Sequence, residues 1–170
     1  GTGGLRLDRV RDCTYGLTVP EGTRCFGPGW TGSDATTGAA LRPGTANRGG
    51  GERGALPLHP PYRTGAGSVW VDYQLGLPLG YPIRLEFDHA IRDHVPEREP
   101  ASDGVEFKVF AATGTGPWIE LFGRLTTAKV WEPAQVDLSA YAGQTLRLRL
   151  WAGPGPAGDG PGAAGDAAGG

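Results

Sequence analysis

Methionine is absent from the 170 residues, cysteine occurs only twice, and no long apolar run is present. The lack of methionine predicts a processed amino terminus. No stretch approaches the roughly 18 consecutive apolar residues of a membrane-crossing helix, and no charged-then-apolar leader opens the sequence. A soluble chain with no membrane partner is therefore expected. Charge of one sign is also lacking: Lys and Arg total 16 against 18 for Asp and Glu, a formal net charge of −2. This removes the electrostatic case for nucleic acid, whose binders carry a basic excess. No G-x-S-x-G, H-E-x-x-H or phosphate-loop spacing occurs, so catalysis has no recognisable nucleophile, zinc or phosphate motif.

Glycine and proline are abundant, 31 and 15 residues. They concentrate in residues 27–54 and 153–170, and what lies between has the composition of strands. The clearest pattern is at the end of that part, where Leu146, Leu148 and Leu150 alternate with Arg147, Arg149 and Trp151, the period of a half-buried strand. Before it, Asp137 to Gly143 supplies an acidic side chain, a serine and a glycine, which predicts a corner with one turn of helix.

The same period recurs upstream. Residues 5–10 and 14–19 read as edge strands, and 55–59, 67–77, 83–91, 104–111, 117–125 and 130–138 as further strands. Residues 92–103 form a charged loop stiffened by two prolines. Eight to ten strands at short spacing with no amphipathic helix predict an all-β antiparallel sandwich. One domain is expected over residues 1–152, with a long glycine-rich loop at 27–54 and a flexible tail at 153–170.

Cys13 and Cys25 enclose a short loop and are expected to form a disulfide, worth about 3 kcal/mol in the loop-entropy model. Such a bridge implies an oxidising compartment and a secreted protein. The alternative is two reduced thiols.

The order Leu-Pro-Leu-His-Pro-Pro, Val-Trp-Val-Asp-Tyr, Ile-Arg-Leu-Glu-Phe, Ser-Asp-Gly-Val-Glu-Phe-Lys-Val and Val-Asp-Leu-Ser-Ala-Tyr-Ala-Gly-Gln-Thr-Leu-Arg-Leu-Arg, across residues 55–152, resembles the galactose-binding-like jelly rolls. Among these it is similar to the NPCBM-type carbohydrate-binding modules attached to bacterial polysaccharide-degrading enzymes. The resemblance implies a non-catalytic module that holds a polysaccharide or oligosaccharide for an attached catalytic domain. It needs no cofactor, and a structural calcium is the one ion it suggests, with Asp8 and Asp166 among the terminal carboxylates (Asp12 and Asp159 being the others) as ligands. Modules of this group end in an Asp-Trp-Ala-like piece and a closing strand. Here Asp166-Ala167-Ala168-Gly169-Gly170 stands in that place without the tryptophan, so the closing strand is expected to be missing or different.

Sugars stack their C–H faces on aromatic rings while planar polar groups bind their hydroxyls. Strand parity puts Trp70 and Trp151 on faces shared with charged residues. If their strands lie in one sheet, Asp72, Arg84, Glu86, Glu106, Lys108, Arg147 and Arg149 line one surface with them. The competing expectation is that these charges pair across strands while loop 27–54 caps the indoles. Trp30 and Trp118, on loops, are the other ligand-binding candidates, and Trp131 is expected to pack. His59, His89, His94 and Asp93 do not compose a metal centre by spacing, and His59 before two prolines is expected to be a hydrogen bonder. Two functions compete with sugar binding: a structural or protein-interaction spacer, and a small glycoside hydrolase or polysaccharide lyase.

Overall fold

A computed structural model of the chain describes residues 4–10, 12–27, 30, 32–41, 44–48, 51–61, 67–80, 82–91, 104–155 and 167–169. Among these residues the strands in chain order are β1 (Thr14–Val19), β2 (Gly22–Phe26), β3 (Ala40–Leu41), β4 (Gly44–Arg48), β5 (Gly51–His59), β6 (Ser68–Gly76), β7 (Arg84–Ile91), β8 (Val105–Thr113), β9 (Ile119–Thr126), β10 (Glu132–Asp137), β11 (Thr145–Pro154) and β12 (Ala167–Gly169). They build two antiparallel sheets. The first runs β2-β1-β6-β11-β8-β9, and the second runs β10-β7-β12-β5-β3, with β4 pairing β5 beside β3. The all-β sandwich expected from the alternation is the architecture found.

β11 lies at the centre of the first sheet because its alternation suits two neighbours and one core. It pairs with β6 from Thr145 to Ala152 and with β8 from Leu146 to Pro154. Leu146 and Leu148 are fully buried. Val109 and Val136 pack in the same cluster, and a second cluster joins Leu17, Val69, Val71 and Phe107 of the first sheet to Leu41, Leu58 and Ile91 of the second. Each such leucine or isoleucine stabilises the fold by about 1.5–3 kcal/mol relative to an exposed position.

The predicted corner is present as a 3-10 turn, Ser139–Tyr141. The Ser139 N–H donates to Asp137 Oδ1 (2.9 Å), and the Ile83 N–H donates to Ser139 Oγ (3.1 Å), so one serine ties β10 to the start of β7. The Ser139 contacts hold the Asp137 carboxyl below its usual range. Gly143 adopts φ +74°, which releases the chain into β11.

Three expectations are corrected. Residues 5–10 form no strand; Leu7–Arg9 is a 3-10 turn. The segment 27–54 is not all loop, since β3, β4 and the first residues of β5 lie in it. Where the closing strand was expected to be missing or different, a short β12, Ala167–Gly169, lies between β5 and β7.

The third is the disulfide. Cys13 and Cys25 are both free thiols. In the β1–β2 hairpin Cys25 stands opposite Gly16, and Gly16 lies on the sheet face away from Tyr15 and Leu17. Cys13 is buried in the core with Tyr15 and Leu17, whereas Cys25 is exposed. The two sulfurs therefore sit on opposite sides of one sheet, a geometry no disulfide spans. The inference of an oxidising compartment from that bridge falls with it.

Thiol titration tests this directly. In the native protein the Cys25 thiol is expected to react with an aromatic disulfide reagent at once, and Cys13 only after unfolding. Failure of both thiols to react under denaturing, non-reducing conditions would contradict the placement.

Candidate functional site

The outward side chains of the first sheet gather four strands onto one face. Trp151 of β11 stands opposite Trp70 of β6 and Lys108 of β8, and Arg149 stands opposite Asp72 and Phe110. Cross-strand partners share a face, so these residues form one surface. A bulge adds a residue from β9. The β8–β9 register slips between Val109 and Phe110, so that Phe110 faces Glu120 and not Leu121. The slip turns Glu120 outward beside Lys108, the re-aiming that bulges provide.

Half of this face is closed by its own contacts. Arg149 donates from Nε and Nη2 to the two oxygens of Asp72 at 2.7 and 2.9 Å. Its guanidinium also packs on two indoles, 4.5 Å from the Trp70 ring centre and 4.3 Å from that of Trp118. Trp118 arrives through the turn at Gly114–Gly116, where Gly114 has φ +54°. Arg147 joins from the next outward position, 5.0 Å from the Trp118 ring, and its Nη2 donates to the Gly116 carbonyl at 3.1 Å. On the other side of the stack Gly16 leaves room for Trp70, because a Cβ there would collide with the indole. Trp70 is only 5% exposed as a result.

The other half is open. Trp151 is half-buried and leans along its strand over Gly153, where a Cβ would strike the ring. Phe110 meets it edge-on at 6.5 Å, and the Lys108 ammonium lies 5.6 Å from its centre. Lys108 bridges Glu106 (3.3 Å) and Glu120 (2.9 Å), whose side chains remain 39% and 46% exposed. The bond to Glu120, foremost, and that to Glu106 raise the Lys108 pKa, so the ammonium is fixed in its charged form. One partly bare ring beside an ammonium and two carboxylates is an arrangement able to stack and hydrogen-bond a polar ring ligand.

The remaining predicted residues are elsewhere. Arg84 and Glu86 belong to β7 in the second sheet, where they form an exposed pair at 3.8 Å, so they cannot line this surface. Trp30 stacks on Phe26 (4.4 Å, 11° between planes) and lies 5.6 Å from Tyr15, closing one end of the core. Trp131 packs on Ala55, as expected. The His59 ring nitrogen Nδ1 is 2.9 Å from the Pro60 carbonyl. His89 is buried among Phe87, Phe107 and Phe122, and burial lowers its pKa. Asp8 lies in the Leu7–Arg9 turn but its side chain, like Asp93, His94, Asp159 and Asp166, is outside what the structure describes. Among the described residues no cluster of three His, Cys, Asp or Glu side chains is placed to hold a metal ion.

Glu120 and Phe110 are the parts of the face that were not foreseen as binding residues. The bulge that delivers Glu120 leaves no mark in the alternation. A signal did exist for the tryptophans: glycines inside strands, at Gly16 and Gly153, mark close approach of another group.

Arg149→Lys is expected to lower stability by about 2 kcal/mol, because an ammonium cannot keep both bonds to Asp72 and both stacking contacts. Urea unfolding measures it, and a change under about 0.5 kcal/mol would show the stack to be incidental.

No protein-family model matches the chain, and no curated protein matches it. Among solved structures, the chain is similar to TmCBM61 in complex with β-1,4-galactotriose, with 12% identity, a TM-score of 0.48, and coverage of 80% of this chain and 79% of that one. It is also similar to the glycoside hydrolase domain of Spr0440, Endo-D from Streptococcus pneumoniae R6, with 20% identity and a TM-score of 0.40. That second likeness covers 76% of this chain but only 20% of the other. At these identities the comparisons concern the shape of the fold.

Proposed function

We propose that the outer face of the first sheet binds a saccharide at Trp151, and that the chain is a non-catalytic carbohydrate-binding module of a larger secreted carbohydrate-active protein. The observation that carries this reading is the half-buried Trp151 indole flanked by Lys108, Glu106 and Glu120. A pyranose laid on the ring brings its hydroxyls within reach of one donor and two acceptors, all exposed in part. Their charges compensate one another, which suits a neutral sugar better than an acidic one. The module's role is adhesion: it raises the concentration of its polymer near an attached catalytic domain without chemistry of its own. Secretion, and a structural calcium involving Asp8 and Asp166, belong to the proposal through the family resemblance alone.

A second reading, a structural spacer, is favoured by one observation: the face already uses Trp70 and Trp118 to enclose Arg149.

Affinity electrophoresis on a panel of neutral and acidic polysaccharides, followed by calorimetry on any that retard the protein, separates the two. Trp151→Ala is expected to weaken binding by about tenfold or more, the equivalent of roughly 1.4 kcal/mol, with little loss of stability. No retardation by any polysaccharide supports the spacer; retardation unchanged in Trp151→Ala places the site elsewhere.

A further inference from the structure

The Trp151 ring lies over Gly153, and Gly153 belongs to a line of cross-strand neighbours that crosses the whole outer face of the first sheet. Leu125 of β9 pairs with Glu106 of β8, and Glu106 pairs with Gly153 of β11. One further step of the β11–β6 register sets Gly153 opposite Ser68. Ser68 in turn pairs with Thr18 of β1, and Thr18 with Thr23 of β2. Strand parity puts all of these on the face that carries Trp70 and Trp151.

The side chains along this line suit a neutral sugar chain from one edge to the other. Leu125, 49% exposed, offers apolar surface at the β9 end. Glu106 comes next as an acceptor, and then the indole. Beyond the indole stand three hydroxyls. Ser68 is nearly buried, Thr18 is half-buried and Thr23 is exposed, and the Oγ atoms of the two threonines lie 3.0 Å apart. A hydroxyl both donates and accepts, so it can pair with sugar hydroxyls without selecting for charge. The spacing fits as well. Neighbouring strands lie about 4.8 Å apart, close to the length of one pyranose in an extended chain, so the six strands set Leu125 and Thr23 about five sugar lengths from each other. Among the described residues no strand lies beyond β9 or β2 to close the line at either end.

We propose that this line is the track for the interior of a single, extended, neutral polysaccharide chain, laid across the strands with one sugar to each strand. The inference rests on the stacking of a saccharide on Trp151 and adds to it the direction of the chain, the length of the bound segment and the class of polymer. Diequatorial linkages, as in β-1,4-glucans, mannans and xylans, keep a chain extended along the line, whereas α-1,4 linkages coil it away. Sheet twist decides between single chains and packed ones. Each strand turns by about 20–25° from the last, so a flat crystalline surface meets the line at one place only, while a lone chain can follow it.

Calorimetry on the whole chain tests this with cello-, manno- and xylo-oligosaccharides, each as disaccharide, tetrasaccharide and hexasaccharide, and with malto-oligosaccharides as the coiled control. In at least one extended series the hexasaccharide is expected to bind at least tenfold tighter than the disaccharide. Reducing its terminal aldehyde, or capping its other end with a methyl ether, should leave that affinity unchanged. Thr18→Val combined with Thr23→Val removes two hydroxyls and keeps their shape, and Leu125→Ser removes the apolar end. Each is expected to erase most of the gain with length and to leave disaccharide binding as it was. The methyl resonances of Leu125, Thr18 and Thr23 should shift with the hexasaccharide and not with the disaccharide. Equal affinity at every length, abolished by Trp151→Ala, would keep the stacked sugar and overturn the track. So would loss of binding when either end is capped, an equal gain with length in the malto series, or the full gain in both variants. If none of the extended series binds while another polysaccharide still retards the protein, the track is again overturned and the platform stands. If no polysaccharide retards the protein, both fall together.

Discussion

The alternation along β11 is the constraint on which both faces of the molecule depend. With strands paired on each side, β11 cannot rotate or slip by one residue without driving Arg147 and Arg149 into the core and Leu146 and Leu148 into solvent. The buried leucines therefore fix the positions of the outward side chains. Arg149 meets Asp72, and Trp151 meets Trp70 and Lys108, because Leu148 and Leu150 have been placed between them. The functional surface is in this sense a by-product of core packing, held to the precision of a sheet and not of a loop.

The outer face divides its aromatic residues between two tasks. Trp70 and Trp118 are used on Arg149, whose charge is matched by Asp72, so that a guanidinium is held half-withdrawn from water on the surface of a sheet. Such a stack leaves Trp70 almost no bare surface, while Trp118 stays half-buried. Trp151 differs because only one side of it is occupied by the strand, at Gly153, and its polar neighbours satisfy each other without covering it. A preformed platform of that kind binds without reorganising its supports, which spares the entropy cost of ordering side chains on contact.

Much of the fold was legible because period-two alternation survives in single strands. The leucines of β11 and the residues Val69, Val71 and Tyr73 of β6 declare an inner face without any knowledge of their partners. Which sheet a strand joins is not written there. Arg84 and Glu86 alternate as clearly as Arg147 and Arg149, yet β7 belongs to the opposite layer, and only long-range pairing decides this. The cysteine pair misled for a related reason: their closeness in sequence suggested a bridge, while hairpin register put them on opposite faces. The resemblance read from residues 55–152 pointed to a sandwich, which is the architecture of the molecule. The β9 bulge, a single-residue slip, was beyond any pattern in the chain, and with it the outward turn of Glu120.

The central claim is that a ligand stacks on the half-buried Trp151 and not on the indoles that hold Arg149. Indole N–H resonances report each tryptophan separately when the protein is titrated with the oligosaccharide of whichever polysaccharide retards it. The account predicts a saturating shift of the Trp151 Nε1–H together with the Lys108 ammonium, while Trp70 and Trp118 stay within their free positions. A shift of Trp70 and Trp118 with Trp151 unmoved would contradict it.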